Sequence, residues 1–177
     1  EGVEPLVAVV EICGFRPGTS TEEFVARYAA FAQVDAAAGV AQNLAPYRSA
    51  YNDQQFAYFE QIDRVLRTAT DEASADAAFA RLEASAVAQL RSGSRADQSV
   101  LAALSTARHS LRYWSATAAA TEGRDSGAKS SKRRFWDVLM VVGADLLGAA
   151  GGTLIGGPVL GGVIGAASSA GAADVLG

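Results

Sequence analysis

Residues 141–176 read VVGADLLGAAGGTLIGGPVLGGVIGAASSAGAADVL, and this stretch decides how the rest of the chain is read. Gly148, Gly152 and Gly156 recur every fourth residue, and so do Gly157, Gly161 and Gly165. On a helix this spacing makes a ridge with almost no side chain, against which another backbone can approach closely. Leu146, Leu147, Leu154, Ile155, Val159, Leu160, Val163 and Ile164 flank the ridge with apolar bulk. Glycine costs about 1 kcal/mol against alanine in a helix interior, so so glycine-rich a segment stays helical only if tightly packed. Pro158 suits the first turn of a new helix, where its missing N–H would be unpaired anyway. The pattern predicts two helices, 135–155 and 158–174, folded as a glycine-zipper hairpin at Gly156-Gly157.

Working outward, residues 122–134 form a polar Gly/Ser linker that turns basic. It carries five basic and two acidic side chains, whereas residues 1–121 carry ten basic and fourteen acidic ones. An acidic body with one small basic collar lacks the extended basic face of a nucleic-acid binder. The collar Lys129, Lys132, Arg133, Arg134, Phe135 and Trp136 has the order of a juxtamembrane segment, cations near headgroups and aromatics at the interface. Its other reading is a solvated linker entering a helix. No charge falls among the 28 residues from Leu146 to Ala173, about 42 Å of helix. Asp145 lies at the head of this run and is expected to be a buried polar group. An aspartate near a bilayer centre costs on the order of 3 kcal/mol, so a lone hairpin inserts at near break-even.

Upstream, residues 19–121 carry four apolar stripes at helical spacing with short links, the arithmetic of an up-down bundle. Thr19-Ser20-Thr21-Glu22-Glu23 starts the first, which carries Phe24, Tyr28 and Phe31 and ends at Gly39. The second runs from Pro46 through Phe56, Phe59 and Ile62 to about residue 69. Thr70 or Asp71 caps the third, with Phe79 and Leu82, and Ser94 caps the fourth, with Val100, Leu104, Leu111 and Trp114. Before them, Leu6–Ile12 (LVAVVEI) is β-branched and ends at Gly14, Pro17 and Gly18. It reads as a strand or a buried extended arm within residues 1–18. The predicted fold is therefore mostly α: extended arm, four-helix up-down bundle, linker, and hairpin over 135–177.

Chemistry is scarce. Cys13 is the single cysteine and His109 the single histidine, which disfavours a metal centre. No nucleophile–base–orienter set, phosphate loop or GxSxG motif is present, so no catalytic residue, cofactor or small-molecule substrate is expected. The chain begins at Glu1 without Met, and removal of a leader followed by export is expected.

Ser110-Leu111-Arg112-Tyr113-Trp114, read with Gly143-Ala144-Asp145 and the glycine run to 173, resembles helical bacterial proteins of unassigned function, frequent in Bacteroidota. In these a Tyr-Trp helix end, a polar gap and a Gly/Ala zipper tail follow one another. The tail alone is similar to glycine-zipper segments of outer-membrane and surface proteins. The resemblance covers about residues 50–175 and implies a non-catalytic protein of the bacterial envelope or surface. Two functions are expected from these features. One is a self-assembling, filament-like protomer joined through Gly148, Gly152, Gly156, Gly157, Gly161 and Gly165 as a homo-oligomer. The alternative is a secreted pore-forming or bacteriocin-like toxin that inserts the hairpin into membranes.

Overall fold

The N-terminal run does not stay extended. In the computed structural model, which describes residues 4–11, 16–32, 35, 38–91, 93–121, 131–157 and 161–165, helix α1 spans Glu4–Glu11. Pro5 sits in its first turn, where it is tolerated. The β-branched residues pay only a fraction of a kcal/mol each to be helical. Helix geometry puts Leu6 and Val10 one turn apart, and both are buried with Phe24, Tyr28 and Ile164 in a small apolar cluster. Burial on one face outweighs the strand propensity that the sequence reading relied on. Among the described residues there is no strand, and the chain is mostly helical.

Helix α2 spans Thr21–Ala32 and starts as expected, with Ser20 Oγ accepting from the Glu23 amide at 3.2 Å. Gly39, expected to close that helix, opens the next one instead. It is the N-cap of the short α3 (Val40–Leu44) at φ 82°, and it has no side chain to cap with. The missing acceptor comes from Asp63, whose two oxygens accept from the amides of Val40 at 2.6 Å and Ala41 at 3.0 Å. A Cβ on Gly39 would lie 2.9 Å from Asp63 Oδ1, so glycine serves both the φ angle and the close approach.

Pro46 falls in a 3-10 segment, Ala45–Ala50, so the following helix starts later than expected. That helix, α4 (Asp53–Thr68), opens on a capping box between Asn52 and Gln55. Helix α5 (Glu72–Gln89) opens on a second one between Asp71 and Ser74. Helix α6 covers Arg95–Thr121 and α7 covers Ser131–Gly156. Lys132, Arg133 and Arg134 are thus the first turn of α7 and not linker.

The main core joins Phe59 and Ile62 of α4, Phe79 of α5, Val100, Leu104 and Leu111 of α6, and Val138, Val142, Leu146 and Ala150 of α7. The partner expected from residues 19–39 is elsewhere, since α2 packs with α1 in the smaller cluster. Helix α7, expected in a separate hairpin, completes the main core. Every residue from Val141 to Thr153 is buried, which explains how so glycine-rich a helix persists. Contacts of Arg95 with Ile155, Ser99 with Ala150 and Trp114 with Asp145 show α6 and α7 running antiparallel along their length.

Candidate functional site

The glycine positions divide into two groups. Gly148 and Gly152 are buried within α7, and Gly156 is exposed at its last residue. Gly157 follows at φ 88°, the left-handed conformation that ends a helix, with its amide donating to Thr153 O at 2.9 Å. The Gly161 amide then donates to Gly157 O at 3.0 Å, and residues 161–165 form a short helical segment lying back along α7. A Cβ on Gly161 would fall 2.0 Å from Thr153 Oγ1 and 2.7 Å from Ala149 O; one on Gly165 would fall 3.0 Å from Asp145 O. A side chain at Gly161 would force something to shift, and one at Gly165 would need the α7 backbone to give by a few tenths of an ångström. The bare ridge expected from the four-residue spacing is occupied at Gly161 and Gly165 by the chain's own α7.

Asp145 is buried, as expected for a polar residue opening an apolar run. Its Oδ2 accepts from Ser110 Oγ and, at 3.0 Å, from Trp114 Nε1. Ser110 and Trp114 are one turn apart on α6, so a single carboxylate can bridge both. The sequence marks each residue, but only the antiparallel pairing of α6 with α7 brings them together. Tyr113 stacks edge-on against Trp114 at 5.0 Å while remaining exposed. His109 is exposed and lines, with Ser110, Tyr113, Trp114 and Asp145, a cleft of about 330 Å³. Gly161, Gly162 and Gly165 form its other wall.

A second link between the body and α7 escaped the sequence reading. Ser99 Oγ donates to Ala150 O at 2.8 Å and lies 2.8 Å from the Tyr51 hydroxyl. Since the serine proton is committed to Ala150, the tyrosine must donate. Burial pushes the Tyr51 phenol up to about 12, partly offset by the Ser99 hydrogen bond. On the outer side of α6, Arg108 bonds Glu83 at 2.8 Å and Asp76 at 3.2 Å, and Arg112 also reaches Asp76. The hydrogen bond from Arg108 holds the Asp76 carboxyl below its ordinary range, and Glu83 and Asp76 hold the Arg108 guanidinium more firmly protonated.

Of the collar, Lys129 lies outside the described residues. Lys132 and Arg133 are exposed, Arg134 and Phe135 are half-buried, and Trp136 is 36% exposed. Lys132, Arg134, Phe135 and Trp136 border an open cleft of about 710 Å³ at the end of the body. Its opposite wall is Arg67, Asp71 and Glu72 at the α4–α5 turn. Among the described residues no group of three His, Cys, Asp or Glu is placed to hold a metal. Cys13 lies outside them. One described helix, over Lys132–Gly156, is long and apolar enough to cross a membrane, and most of it is buried inside the chain. No family model, curated protein or solved structure matches the chain.

Proposed function

We propose that this is a non-enzymatic, membrane-active protein of the bacterial envelope or exterior, bacteriocin-like in its action. Its body would shelter α7 from water until a bilayer competes for it. In this reading α4–α7 act as an up-down bundle, and α7 with the segment beyond Gly157 is a glycine-zipper hairpin. One observation carries the proposal: the one described helix long and apolar enough to cross a membrane is mostly buried inside the chain, packed on α6, α2, α3 and α4, while Lys132, Arg133 and Trp136 at its start are exposed. At 1.5 Å per residue α7 reaches about 39 Å, more than the roughly 30 Å hydrocarbon core. Apart from the loss of core packing, an opposing term is Asp145, and it shrinks when the carboxylate takes up a proton.

Release of an encapsulated dye from vesicles tests this with the full chain. Micromolar protein is expected to empty anionic vesicles, and faster at acidic than at neutral pH. Vesicles that stay sealed at both would end this reading.

A self-assembling protomer is the second reading. It is favoured by Trp136 and Met140, one turn apart on α7 and 36% and 40% exposed. It predicts particles that grow with concentration in sedimentation and return to single chains in Met140→Glu.

A further inference from the structure

The cleft at the end of the body combines features that point to a ligand class. Three cations border it: Arg67 at the end of α4, and Lys132 and Arg134 in the first turn of α7. Two carboxylates, Asp71 and Glu72, border it at the start of α5. Asp71 is engaged in capping, accepting from the Ser74 amide at 2.8 Å, and this bond holds its carboxyl ionised to lower pH than usual. Glu72 is exposed beside it. Phe135, Val138, Ala69 and Ala118 supply apolar lining, and the Trp136 ring stands at the mouth, 6.5 Å from that of Phe135.

A bare phosphate entering this cleft meets two carboxylates, and a bare amine meets three cations. A molecule that carries both charges offers a partner to each set of groups. Its uncharged remainder fits the apolar lining, and the volume of about 710 Å³ is in the range of small-molecule sites. We infer that this cleft binds the phosphoethanolamine headgroup of a phospholipid. Lys132 takes the phosphate, with Arg134 and with Arg67, itself 3.9 Å from Asp63 Oδ2, beside it; Glu72 takes the ammonium, and Phe135 and Trp136 lie along the glycerol and the first acyl carbons. Cations pair with phosphate oxygens, and an ammonium has three donors for carboxylates. This inference rests on the membrane reading above and adds which lipid is engaged and where. Occupancy would place α7's first turn at headgroup level, with the apolar remainder of the helix directed toward the hydrocarbon.

The test uses the full chain and three water-soluble probes: glycerophosphoethanolamine, glycerol phosphate and ethanolamine. Binding is followed by NMR of the probe and by tryptophan fluorescence. Glycerophosphoethanolamine should bind at least about tenfold more tightly than either single-charge probe, the scale of one charged hydrogen bond. Glu72→Gln should abolish its advantage over glycerol phosphate, and Lys132→Gln should weaken both phosphate probes about fivefold or more. Both side chains are exposed, and unchanged circular dichroism confirms that the variants fold. Equal binding of all three probes, no binding of any, or indifference to both substitutions overturns the inference. The outcomes separate from those of the membrane reading. Leakage without headgroup binding removes the site and leaves that reading standing. Headgroup binding to a chain that leaves phosphatidylethanolamine-containing vesicles sealed upholds the site and removes the reading.

Discussion

Adjacent glycines at 161 and 162 sit in opposite surroundings. A Cβ on Gly162 meets nothing within 4 Å, while one on Gly161 collides with Thr153 and with the backbone of Ala149. Gly161→Ala should therefore lift the 161–165 segment off α7, at a cost of about 1–3 kcal/mol for forced overpacking. Gly162→Ala should be neutral or stabilise by up to about 1 kcal/mol through helix propensity. Amide hydrogen exchange across residues 161–165 reads both: faster in the first variant, equal or slower in the second. The four-residue rhythm in the sequence marks Gly161 and Gly165, and in the fold both come close to α7 of the same chain. It could not say whose backbone comes close, because a bare ridge is the same invitation to a neighbour within the chain and to one outside it. Asp145 is similar. Its burial was legible from the apolar run around it, but Ser110 and Trp114 lie more than thirty residues away, beyond any local pattern.

Helix ends were readable where side chains cap them and obscure where the cap arrives from a distance. The starts of α2, α5 and α6 follow from Ser20, Asp71 and Ser94, each bonding the amide three residues on. Gly39 looked like a stop because its own residue type carries no capping group; the acceptor is Asp63, two elements later in the chain. Asp63→Ala should leave the amides of Val40 and Ala41 without this acceptor and cost about 1–3 kcal/mol in urea unfolding. Asp63→Asn, which keeps one oxygen, should lose less. Helix α1 was misread for a related reason. A β-branched run has a strand's composition, and only the second cluster, built with α2 and Ile164, supplies a one-sided burial that favours a helix.

Across the whole molecule, the helical class was legible because 3.6-residue apolar spacing recurs through most of the chain. Which helices share a core was not, since α2 and α7 both carry enough apolar surface to serve. Two titratable groups shape stability towards the ends of the pH range. Asp76 has its folded pKa below the ordinary 3.8, so its stabilising effect is present above that value and is lost as pH falls through the folded one. Tyr51 has its folded pKa above the ordinary 10.0, at about 12, so its contribution is complete below 10 and fades as pH rises toward 12. Thermal melting should show a plateau between these limits. Asp76→Asn should flatten the acid-side fall, and Tyr51→Phe should flatten the alkaline one.

Because Val138, Val142, Leu146 and Ala150 of α7 belong to the main core, in the proposed membrane reading a bilayer and the remaining helices would compete for one set of side chains. A chain that surrendered α7 to lipid would leave the rest of the main core without the side that α7 supplies. Departure of the helix would then be the same event as loss of the native body, and on that proposal any influence that loosens the fold, whether mild urea or acid, would hasten delivery to the membrane. Stability and potency would be traded against each other, substitution by substitution.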